Sequence, residues 1–100
     1  MTLTIKDEKN VLTGYLEGRL DTTVSAQFGQ DMQPLLDNAD REIVLDCAAL
    51  TYISSSGLRH FLSLRKAVEV KGGKLIVTNV SDEIRTIFTI TGFYNIFDIR

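Results

Sequence analysis

The sequence is poor in the residues that build covalent and metal-held frameworks: 100 residues include one cysteine and one histidine. Cys47 alone cannot close an internal disulfide. With His60 it supplies too few ligands for a zinc site, so no metal or other cofactor is expected. No apolar run approaches the roughly 20 residues needed to cross a bilayer, and no membrane span is expected. A basic excess is also missing. Lys and Arg number 11 against 13 Asp and Glu, a net charge of -2, and they are scattered, which argues against direct binding of nucleic acid or an anionic membrane. The start "MTLTIKDEKN" lacks the charged-then-apolar pattern of a secretion signal, so the chain reads as cytoplasmic. The match of Asn79-Val80-Ser81 to a glycosylation acceptor then carries no weight.

What is present suits one compact domain: 44% hydrophobic residues spread over a length with no room for two cores. Residues 3–5 and 11–17 alternate loosely around a polar "KDEKN" and predict a hairpin whose second strand ends at Gly18. Val24, Phe28, Met32, Leu35 and Leu36 recur at helical spacing, with Asp21, Thr22 or Thr23 as N-cap and Pro34 placed to kink the end. "EIVLDCAAL" and "KLIVTNV" are continuous enough to predict parallel strands covered on both faces. Between them, Leu58, Phe61, Leu62, Leu64 and Val68 form the apolar arc of a helix that stops at Gly72-Gly73. A further helix fits residues 82–91, capped by Ser81 or Asp82 and ended by Gly92, with Ile84, Ile87 and Phe88 inward. "NIFDI" then adds a last strand. The reading is one α/β domain, residues 1–100, with a mixed sheet and no internal repeat or linker.

The stretch "LTYISSSGLRHF" puts Ser54, Ser55 and Ser56 where a buried strand gives way to a helix. One serine there is ordinarily an N-cap, and from spacing alone that is the commoner use. One cap needs one serine. The other two hydroxyls lie at the C-terminal end of a parallel strand, where open α/β sheets place functional groups. A phosphate at this junction would add roughly -1.5 to -2 charges beside the positive end of the helix and be tolerated.

"LDCAALTYISSSGLRHFLSLRKA" resembles the signature of the STAS domain, the anti-sigma factor antagonist family, in which a strand leads through a D-S-S-G or I-S-S-[AS]-G-L-R turn into a helix. "GRLD" at residues 18–21 is similar to that family's G-x-L-D turn, and "GGKLIVTNV" and "TGFYNIFDI" resemble its later strand and tail. The resemblance implies a mixed sheet with helices packed mainly on one face. It also implies a non-enzymatic switch that binds an anti-sigma factor serine kinase, frees a sigma factor, and is turned off by phosphorylation of one serine and reset by a serine phosphatase. The phosphoacceptor falls on Ser55. Ser54 stands where the D-S-S-G form has aspartate, although the I-S-S form also has serine there. The implied docking surface comprises Asp21, Thr22, Ser54, Ser55, Ser56, Gly57 and Arg59, with Asp21 serving equally as an ordinary helix cap. The same resemblance admits a stressosome-like signalling scaffold, or a small soluble subunit of a lipid-transport ATPase complex.

The remaining candidates carry less. Ser55, His60 and Asp46 are the residue types of a hydrolase triad, but His60 follows Ser55 too closely, is expected to point to solvent, and no G-x-S-x-G elbow is present. Cys47 reads as a small core residue, Gly72-Gly73-Lys74 as a helix stop, and Arg65 as a side chain snorkelling from the apolar arc or reaching a partner.

Overall fold

In the computed structural model, which describes residues 1–100, five strands form one sheet in the order β1-β2-β3-β4-β5. β1 (Thr2–Glu8) and β2 (Val11–Leu20) are an antiparallel hairpin joined at Lys9 and Asn10, with φ of 51° and 68°. Two consecutive positive-φ residues make the kind of turn whose twist matches a hairpin. Because two residues suffice to turn, Lys6–Glu8 belong to the strand and not to the turn expected from their polarity. Nor does β2 end at Gly18. That glycine takes φ 97° at a register shift, and pairing resumes with Arg19 opposite Tyr52 and Leu20 opposite Ile53.

The helix expected over residues 24–36 is two: α1 (Ser25–Asp31) and α2 (Gln33–Asp37), meeting at Met32. Pro34 falls in the first turn of α2, where a missing N–H costs nothing, so the proline starts a new helix instead of kinking the old one. β3 (Glu42–Ile53), β4 (Lys74–Thr78) and β5 (Asp98–Ile99) run parallel to β2. α3 (Ser55–Lys71) joins β3 to β4, and α4 (Asp82–Thr91) with a short 3-10 turn joins β4 to β5. Both long helices carry the expected ends: Ser54 and Ser81 cap the N-termini, and Gly72 and Gly92 take φ 83° and 80° at the C-termini. Gly73 does something else. A methyl there would sit 2.0 Å from the Ala39 carbonyl oxygen, so it is a point of backbone contact.

β3 is not covered on both faces. Ile43, Leu45 and Cys47 point inward, Ala48 and Ala49 are both exposed, and inward pointing resumes at Leu50 and Ile53. Each step of three marks an extra residue against β2, where Tyr15 and Glu17 oppose Asp46 and Ala49, and Gly18 and Arg19 oppose Leu50 and Tyr52. Such bulges shift the phase of a strand, and an alternating strand thereby acquires a continuous apolar run. β4 does bury three successive residues, Leu75, Ile76 and Val77.

The inward phase of the strands and the buried residues of all four helices form one core cluster, including Leu16, Leu20, Phe28, Leu45, Phe61 and Phe88. The opposite phase, with Thr4, Tyr15, Glu17 and Ala48, remains exposed. The helices thus make a single layer on one face. Arg65 is tied within the domain, its Nε donating to the Ile96 carbonyl at 2.8 Å and its guanidinium 2.9 Å from Glu69. Cys47 is a core thiol, pushed up to about 12 by burial and by the neighbouring Asp46.

Candidate docking site at the serine turn

Since β2 and β3 are parallel, their C-terminal ends meet at one pole of the sheet. The Ser54 N–H donates to the Leu20 carbonyl at 2.8 Å, so the turn after β3 and the loop after β2 lie side by side. This puts Asp21 and Thr22, which follow Leu20, at the same pole of the sheet as Ser54, Ser55 and Ser56.

The serines, equivalent in sequence, have different surroundings. Ser54 is 7% exposed, and its Oγ accepts from the Gly57 N–H at 3.2 Å, which makes it the N-cap of α3. Ser56, partly buried, is tied to it through an Oγ–Oγ hydrogen bond of 3.0 Å. Ser55 opens the helix, is exposed, and has no side-chain hydrogen bond. Beneath it Ile53 and Leu58 are each 2% exposed, as the strand-turn-helix reading requires.

Gly57 sets the height of the turn above the core. A methyl on it would lie 2.7 Å from Leu20 Cγ and 3.1 Å from Ile53 Cγ1, and both of those side chains are buried. Helix α3 can start this close to the strand ends only without a side chain. Gly57→Ala is therefore expected to lower stability by about 1–3 kcal/mol, the usual cost of overpacking. Urea denaturation measures it, and an unchanged midpoint would show that the turn does not rest on Leu20.

Asp21 does not cap α1. Val24 stands at that position without a side-chain cap, while Asp21 Oδ1 accepts from Thr23 Oγ1 at 2.6 Å and from the N–H groups of Thr23 and Val24 at 3.1 and 3.3 Å. The Thr23 hydroxyl first, then these amides and Arg19, hold its carboxyl below the ordinary value. The loop is braced by its own acid. Thr22 is exposed in the same turn. Arg59 is exposed on α3 one helical turn beyond Ser55.

The triad residues do not converge. His60 is half-buried rather than solvent-directed: its ring meets Phe28 edge-on at 5.7 Å, and a methyl on Gly29 would come within 2.6 Å of it. Asp46 points to the sheet's bare face and accepts from the Ala48 N–H and Asn79 Nδ2. The sheet lies between them. No helix is long and apolar enough to cross a membrane.

Residues 2–100 match the STAS domain family. The chain is 31% identical to BtrV of Bordetella bronchiseptica over 99 residues, 99% of this chain and 85% of that one. It is 30% identical to the anti-sigma-B factor antagonist of Bacillus subtilis over 96 residues, 95% of this chain and 86% of that one. Among solved structures, the anti-sigma factor antagonist SpoIIAA, known in unphosphorylated and phosphorylated forms, superimposes with TM-scores of 0.72 and 0.71. These two alignments, at 18% and 19% identity, cover 99% of this chain and 87% and 91% of theirs. Matched by the family over nearly its whole length and 31% identical to one curated member, the chain belongs to the STAS domain family.

Proposed function

We propose that the chain is an anti-sigma factor antagonist of the cytoplasm, a binding switch without catalysis of its own. It docks through the serine turn on an anti-sigma factor that is also a serine kinase, and so frees a sigma factor. In the off step, Ser55 Oγ attacks the γ-phosphorus of ATP held by the kinase, ADP leaves, and the hydroxyl proton passes to the kinase or to water. A serine phosphatase restores the hydroxyl. The observation that carries this reading is the difference among the three serines: only Ser55 presents a hydroxyl that is both exposed and uncommitted. Ser54 would have to give up the cap of α3 to react. The names borne by the relatives support the same reading.

The test is to incubate the protein with its cognate anti-sigma kinase and ATP and to map the modified residue by mass spectrometry. Phosphate is expected on Ser55 and absent from the Ser55→Ala variant. Phosphate confined to Ser54 or Ser56 would overturn the assignment.

A further inference from the structure

Arg59 stands apart from the other arginines. Arg19 stacks on Tyr52 with its guanidinium 4.5 Å from the ring centroid, and Arg85 lies over Tyr94 at 5.7 Å. Arg41 pairs with Asp7, Arg65 with Glu69, and Arg100 with Asp98. The Arg59 guanidinium has no ion pair, hydrogen bond or aromatic partner; the one side chain bonded to this residue, Ser63 Oγ, donates to its backbone carbonyl. It is also placed four residues after Ser55 on the same helix, and both residues are exposed. Side chains at this spacing are neighbours, about 5–6 Å apart at Cβ, and the order with the anion first is the favourable one.

We infer that Arg59 captures the phosphate on Ser55 within the same molecule, so that the modification also withdraws the cation of the docking surface. The inference rests on the proposed modification of Ser55. The guanidinium fork matches two phosphate oxygens. Competing anions are already committed, Asp21 to Thr23 and Val24, and Glu69 to Arg65. Of the other cations, Arg19 lies at the same pole but is stacked on Tyr52 beside Asp21. Arg65, the next along α3, begins a further turn and more beyond Arg59, about 15 Å from Ser55 along the axis at ~1.5 Å per residue. His60 is turned to Phe28. Before modification Arg59 faces solvent and can meet an acid on a partner. After it, the same guanidinium is held by the phosphate.

The experiment installs phosphoserine at position 55 during translation, so that no kinase is needed, and follows the phosphorus NMR shift of the full chain against pH. A nearby cation favours the dianion and lowers the second ionisation of the phosphate. The midpoint is expected to lie about 0.3 pH unit lower with Arg59 than in Arg59→Gln, the shift that a surface pair at this spacing gives. Arg59→Lys should recover part of it, having the charge without the fork. Any contribution of the helix end is common to all three proteins and cancels. Coincident midpoints would overturn the capture while leaving the switch at Ser55 untouched. Failure of a kinase to modify Ser55 would overturn the switch without changing this titration.

Discussion

Phe61→Ala is expected to cost about 3–5 kcal/mol of stability, the range for removing a fully buried aromatic ring from a core. The ring is 0% exposed and joins elements distant in sequence: it lies 6.2 Å from Phe28 on α1, 6.1 Å from Phe88 on α4 and 6.3 Å from Phe97 ahead of β5. Those with Phe88 and Phe97 are edge-on, at 74° and 80°, an arrangement that adds to the energy of burial. The neighbours sit on separate elements and are themselves buried, so the space left by alanine closes only in part. A domain of this size is stable by about 5–15 kcal/mol in all, and the loss would remove a large part of that. Ser55→Ala, which deletes an exposed hydroxyl with no partner, should change stability by no more than about 0.5 kcal/mol. Urea melts of the two variants give the comparison. Equal, small losses would mean that α3 presents a different face to the sheet.

The contrast between these two positions also shows which parts of the fold could be read from local chemistry. α3 and α4 were accessible because each end carries its own marker, a serine whose side chain takes a backbone N–H and a glycine that adopts positive φ. The burial of Phe61 and Leu58 followed from their spacing. β3 was misread because its bulges depend on the pairing partner. Cys47, Ala48, Ala49 and Leu50 form an unbroken apolar run in sequence, and only the register against Glu17 and Gly18 separates inward from exposed. His60 was misplaced for a related reason. On its own helix it lies outside the apolar arc, and the surface that receives it, Phe28 and Gly29, belongs to α1.

The candidate site divides in the same way. Three adjacent serines cannot be ranked by spacing, and the family resemblance singled out Ser55 without a physical reason. The reason is the hydrogen bonding of Ser54 and Ser56, which commits both to the start of α3 and leaves Ser55 open. The support beneath the turn was less visible still. Gly57 is a short side chain's absence in sequence, and its meaning depends on Leu20, thirty-odd residues earlier, reaching the same pole by parallel pairing with Ile53.

Ser55→Asp is expected to weaken binding to the cognate anti-sigma kinase by about thirtyfold or more. If the partner packs against the turn, a carboxylate at position 55 is stripped of water and competes for Arg59, so that any partner acid meeting Arg59 loses its counter-charge. An unpaired charge buried at an interface costs roughly 2–5 kcal/mol, and each ~1.4 kcal/mol is a factor of ten in affinity. The folded state pays nothing comparable. The new acid sits in the first turn of α3, where negative charge is favourable, and no existing hydrogen bond is lost. Its melting temperature should therefore equal or slightly exceed that of the unmodified protein. Ser55→Ala should bind within a few-fold of wild type, because it removes only an uncommitted hydroxyl. Calorimetric titration of each variant into the kinase, beside thermal melts, separates docking from folding. Wild-type affinity in Ser55→Asp would place the interface elsewhere on the domain, and a matching fall in melting temperature would trace lost binding to lost structure.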